Sequence, residues 1–255
     1  MDAKKSANLY LLPLIVIFLF TGCIKDSPGT GFPAINAAND KITGTSARDL
    51  LSQNNFASLK IEVQYMTGYA PDAPSLNNLT AFLNSILNKP GGITITQKEI
   101  APEAKSSYTT NDIAALEQKE RTAYNSGNQL DVYVIMTDGN YTNPAALGLS
   151  YRNTSICLLG KTIFDNSGGI GQVSRTKLET TVLEHEFGHL LGLVDLGTPM
   201  ISNHKDAANG NHCNVQSCLM YYSVETTDFL GFAGAGNVPV LDSQCLADLH
   251  ANGGK

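Results

Sequence analysis

Residues 174–192, SRTKLETTVLEHEFGHLLG, restrict this chain more than any other stretch. Ser174 is a natural helix N-cap and Gly192 a natural helix stop, so the segment reads as a strong helix with both ends marked. Inside it, His185 and His189 stand four residues apart, and i, i+4 side chains share one helix face about one turn apart. The chain has only five His, so a chance H-E-x-x-H is improbable. Two helix-surface imidazoles flanking an acid is the plain alternative.

The sequence upstream reads as alternating strands and helices. Residues 57–65, ASLKIEVQY, alternate apolar and polar like a half-buried strand, and ITITQKEI at 93–100 reads as a second. The apolar run LDVYVIM at 130–136 suits a central buried strand. Residues 146–151 and 155–160 read as two more. Between them, Ser75 caps a predicted helix to about residue 88, with Leu76, Leu79, Leu83 and Ile86 at helical spacing. Thr110 or Asn111 caps another to about residue 124. Beyond Gly192 the pattern fades into Gly-, Asn- and Asp-rich loop, with a last helix over 243–250. This order predicts an α/β fold: a twisted mixed sheet, backing helices and an active-site helix, then a loop-rich C-terminal subdomain.

Two imidazoles on one helix face can bind a single Zn2+ through nitrogen. Glu186, next to the first, can reach a water on that metal and act as its general base. A catalytic zinc needs a third protein ligand and one open position. Asp195, His204 and His212 compete for that place. Direct spacing favours Asp195; the commoner use of imidazole favours the two His.

The run His185-Glu186-x-x-His189-x-x-Gly192-x-x-Asp195 resembles the long zinc motif of metzincin metallopeptidases, with Asp where most members have His. His212-Cys213-x4-Cys218-x-Met220 is similar to a stretch of archaemetzincins. The resemblance implies a zinc-dependent endopeptidase that hydrolyses peptide or protein substrates. It implies that Gly192 lets the chain turn sharply under the metal and that Met220 forms a Met-turn floor beneath it. It gives Tyr222, two residues after Met220, a part in supporting the oxyanion. It also implies an antiparallel strand at the sheet edge, for which residues 146–151 are the candidate. The competing reading is a lipid-anchored zinc-containing binding or adhesion protein without turnover. The intact Glu186 argues against it.

The N-terminus reads as an address. Lys4 and Lys5, the apolar run LYLLPLIVIFLF at 9–20 and small residues before Cys23 make a secretory signal, too short to span a bilayer. Thr21-Gly22-Cys23 resembles a bacterial lipobox. This implies a signal peptide over 1–22, lipidation of Cys23, and an exported protein on a bacterial membrane, facing the periplasm or cell surface. Residues 23–55 read as a tether, with Asp40 or another acid there a candidate to cap the metal in a latent form. The catalytic domain is then 56–255. A net charge of −6 and the lack of a basic block disfavour nucleic acid as a partner. Cys157, Cys213, Cys218 and Cys245 remain, and an even count in an exported chain suggests two disulfides, Cys213–Cys218 and Cys157–Cys245. A four-ligand structural zinc is the lesser reading, since only three of these cysteines lie in the C-terminal half.

Overall fold

The alternating stretch at 57–65 becomes a strand of a five-stranded sheet in the computed structural model, which describes residues 31–228 and 238–255. In chain order the elements are α1 (Ala47–Leu51), β1 (Ser58–Met66), α2 (Ala73–Ile86), β2 (Ile93–Ile100), β3 (Ser107–Tyr108), α3 (Thr110–Glu120) and β4 (Gln129–Met136). They continue with β5 (Asn140–Tyr141), β6 (Gly148–Arg152), β7 (Ser155–Leu158), α4 (Gly160–Asp165), α5 (Arg175–Leu190) and α6 (Ser243–Ala251). The strand order is β2-β1-β4-β7-β6. The first four strands are parallel, and β6 runs antiparallel to β7 at the edge. The expected mixed sheet with an antiparallel edge is therefore present.

Every residue of β4 from Leu130 to Met136 is buried, as its continuous apolar run requires. Val132, Val134 and Ile156 face one core with Leu79 of α2 and Val182 and Phe187 of α5. Tyr133, Ile135 and Cys157 face a second core with Ile113 and Leu116 of α3. Helices thus cover both faces of the sheet. Helix starts move slightly from the sequence reading. Asp72, not Ser75, precedes α2, and Ser75 instead donates a 2.6 Å hydrogen bond to Glu179 on α5. Thr109 caps α3 through a capping box with Asp112. α1 and α4 are too short to carry a readable period.

The tether reading of 23–55 needs correction over its described part. Leu50 and Leu51 are fully buried. The buried Asn39 amide donates to Asn125, Asp131 and Thr154. Asp40 accepts from Arg152 at 3.0 Å and is not among the residues lining the cavity at the motif imidazoles. Small polar residues look like linker in composition, but here their side chains meet buried partners. Residues 1–22 and Cys23 lie outside the described residues. Among the described residues, no helix is long and apolar enough to cross a membrane.

The two predicted disulfides are also overturned. All four described cysteines are free. Cys157 and Cys245 belong to different cores, separated by the sheet. Cys218 neighbours Cys245 rather than bonding Cys213: their sulfurs are 3.7 Å apart, against about 2.05 Å for a disulfide.

Glu117 is the fully buried hub that ties α3 to the sheet. It accepts from Arg121, Arg152 and Ser155. Glu117→Ala leaves two buried guanidinium groups short of a counter-charge and is expected to cost about 3–5 kcal/mol. Urea unfolding of the two proteins measures this.

Candidate metal centre

α5 carries the motif pair because its cap, its apolar face and its glycine all place it against the sheet. Ser174 accepts from the Lys177 N–H at the start of the helix. At the other end, Gly192 sits at φ +71°, and a Cβ there would lie 2.6 Å from the Thr198 nitrogen, so only glycine fits this turn. Gly188 is required for another reason: its Cβ would meet the Met220 sulfur at 2.2 Å. Met220 is wholly buried directly against the motif helix, where the resemblance put a floor.

His185 and His189 point together, their Nε2 atoms 3.1 Å apart. Of the three candidates for the third position, the structure brings His212 to them. Its ring stacks on His185 with centroids 5.3 Å apart. Asp195 turns outward instead. Val194 and Asp195 both sit at positive φ, 54° and 65°, which swings the chain away after Gly192. The Asp195 carboxylate is exposed and 3.4 Å from Lys205. His204 is buried elsewhere, 2.8 Å from Asp248. Tyr222 opens the 3-10 turn Tyr222–Glu225, packs its ring on Tyr221, and is not among the residues lining the cavity at the motif.

That cavity, about 360 Å3, is lined by Thr43, Ser150, Glu186, His189, His212 and Glu225, among others. Glu225 had no signal in the sequence beyond being an acid five residues after Met220. Its Oε2 lies 3.7 Å from the Nε2 of His185, 3.7 Å from that of His189 and 3.6 Å from that of His212. The backbone holds it there: Glu225 O accepts from Leu147 N, and Thr227 N donates to Ala145 O. The position considered for a tether acid such as Asp40 is taken by this residue.

The donor set fits a zinc ion. The Leu219 and Asn209 carbonyls accept from Nδ1 of His185 and His212, at 2.7 and 2.6 Å. A carbonyl only accepts, so both Nδ1 atoms carry the proton and both Nε2 lone pairs face the centre. The buried His212 Nε2 has no hydrogen-bond partner. Burial pulls the pKa of His189 down to about 4, which keeps its ring neutral and able to ligate. Four ligand atoms at about 2.0–2.1 Å from one zinc would lie about 3.3 Å from each other, close to the separations found.

Glu186 is fully buried beside this group. Burial, and then the charge of Glu225, push its carboxyl well above the usual range. Ser150 of β6 holds Oε2 at 2.8 Å, and Oε1 has no partner. Burial works against ionisation of Glu225, but the three imidazoles that face it from 3.6–3.7 Å draw its carboxyl far below its ordinary value.

The profile of metallo-peptidase family M12 (Reprolysin_5) matches residues 41–230. No curated protein matches the chain by sequence. Among solved structures, archaemetzincin from Methanopyrus kandleri is similar at 13% identity and a TM-score of 0.44, over 77% of this chain and 96% of that one. Metalloproteinase-II from Bacteroides fragilis is similar at 14% identity and a TM-score of 0.41. That match covers 79% of this chain and 54% of the other.

Proposed function

The chain belongs to metallo-peptidase family M12 and is a zinc metallopeptidase of the metzincin type, and from that premise we propose that it is an endopeptidase whose zinc is held by His185, His189 and His212. One observation carries this reading: three buried imidazoles turn their Nε2 atoms to one point, beside the buried Glu186 carboxyl whose Oε1 is unpaired. Bound zinc polarises a water and lowers its pKa towards about 7. Glu186 then acts as the general base, taking the water's proton on Oε1 and passing it to the leaving amine. Ser150, by holding Oε2, keeps the other oxygen turned to the cavity.

β6 lies at the sheet edge and contributes Leu149 and Ser150 to the cavity wall. An extended peptide can add to this edge through backbone hydrogen bonds, leaving its side chains to choose the sequence cleaved. Glu225 Oε2 faces the three Nε2 atoms from 3.6–3.7 Å, so a zinc held by the imidazoles would be open to a water only with this carboxylate moved aside. Tyr222 is given no part in the reaction, because its ring rests on Tyr221.

The test is cleavage of casein and of a peptide library by zinc-loaded, fully processed protein, lost on chelation and restored by zinc. Intact substrates after prolonged incubation with metal-replete protein would sink the proposal.

The N-terminal sequence supports a further reading, that the protein is exported and anchored in a bacterial membrane through a lipidated Cys23. Cys23→Ala should move it from the membrane fraction to the soluble fraction. Wild-type protein already found in the soluble fraction would count against the anchor.

A further inference from the structure

We propose that Glu225 is a fourth protein ligand of the metal centre, one that closes the site at rest and that substrate must displace. The inference rests on the reading of His185, His189 and His212 as the zinc ligands and names the group that completes them.

The positions of the four donor atoms carry it. Glu225 Oε2 lies 3.7 Å from Nε2 of His185, 3.7 Å from that of His189 and 3.6 Å from that of His212. A direct hydrogen bond to a ring N–H would be about 2.7–3.2 Å long and would favour one ring over the others. Near-equal, longer distances to three rings at once place the oxygen at the fourth apex around a shared ion. The ring protons agree. His185 and His212 give their Nδ1 protons to backbone carbonyls, so lone pairs face Glu225 from Nε2. A carboxylate is drawn towards lone pairs only through a cation between them.

The backbone holds the acid in this place. Glu225 ends the 3-10 turn Tyr222–Glu225, which follows the buried Met220. Its carbonyl accepts from the Leu147 N–H at 2.8 Å, and the Thr227 N–H donates to the Ala145 carbonyl at 2.8 Å. Between these bonds Ala146 and Thr226 pair antiparallel. Glu225 is thereby tied to the chain that enters β6, and its reach to the three rings is built into the fold. Glu186, the other acid at the cavity, is held through Oε2 by Ser150 and stays outside the four-atom group.

Four protein ligands leave no open position, whereas a catalytic zinc keeps one. The same structure shows which ligand can leave. The Glu225 side chain is 32% exposed, against 0%, 9% and 11% for His185, His189 and His212. It borders the cavity, and rotation about its own side-chain bonds takes it off the centre with the backbone pairing intact. The resting site is therefore shut against water, and a substrate entering beside β6 competes with Oε2 for its place.

The experiment compares the wild-type chain with Glu225→Gln and Glu225→Ala, each loaded with cobalt alone. Paramagnetic relaxation of water protons reports whether the metal carries an exchangeable water. Wild type should relax water little faster than its zinc-loaded form, and both variants should do so severalfold faster. Zinc affinity, from competition with a chromophoric chelator, should fall at least about tenfold in both, since even an outer partner of a ligand is worth about 10–100-fold. Thr227→Pro removes one bond of the backbone clamp and keeps the carboxylate. Thr226 already has the extended backbone that a following proline requires. This variant should also speed relaxation, and it serves as the test if the Glu225 variants do not fold. Relaxation unchanged across the variants, or zinc affinity unchanged on loss of the carboxylate, would overturn the assignment. Neither readout uses a substrate, so the two readings fail separately. The expected differences without peptide cleavage would uphold Glu225 as a ligand and count against the peptidase. Cleavage with equal relaxation and equal affinity would remove Glu225 alone.

Discussion

Glu186→Gln is expected to lower kcat for peptide hydrolysis by about 10²- to 10⁴-fold, the usual worth of a positioned general base, with zinc content unchanged. The substitution keeps size and shape, so Ser150 retains an oxygen or amide partner and α5 keeps its packing. It removes only the capacity to accept a proton. Because the carboxylate touches none of the Nδ1 partners of His185 and His212, metal binding has no reason to fall. Steady-state kinetics beside elemental analysis reads both quantities. Full activity in the variant eliminates Glu186 as the base; loss of zinc shows that its part is structural.

The second large effect separates the candidates for the third ligand. His212→Ala should empty the metal centre and abolish hydrolysis. The loss in zinc affinity should exceed the roughly 10–100-fold that follows from removing a mere outer partner of a ligand. Asp195→Asn should leave zinc, activity and stability unchanged within about 0.5 kcal/mol, as exposed positions do. Asn also tolerates the positive φ of 65° at that position. Zinc titration in competition with a chromophoric chelator distinguishes the two. Activity that survives His212→Ala but fails in Asp195→Asn would reverse the assignment. Substitution of His204 should behave differently again, because that ring sits in the group with Cys213 and Cys245.

The sheet strands were legible because burial imposes a period. β1 and β2 alternate or run apolar according to which faces they cover, and β4, covered on both, is apolar throughout. Helix ends were less legible, since a cap such as Thr109 is decided by one hydrogen bond and several nearby residues qualify. Residues 31–55 were misread because composition records polarity, and their polar side chains are satisfied inside the fold by Asp131, Arg152 and Thr154. The cysteines were paired by spacing and parity. Neither reveals that Cys157 faces the opposite side of the sheet from Cys245.

What the sequence by itself determined is local: an H-E-x-x-H on a capped helix must put two imidazoles on one face, because helical geometry sets i against i+4 whatever surrounds it. The glycine that ends the helix is local in the same sense. The tertiary structure alone placed the His212 ring, and not Asp195 or His204, beside the motif imidazoles, brought Glu225 to the three rings, and set Ser150 against Glu186. Those partners lie tens of residues apart in irregular chain. Their meeting depends on how that chain folds under α5 and along β6, and no period or spacing encodes it.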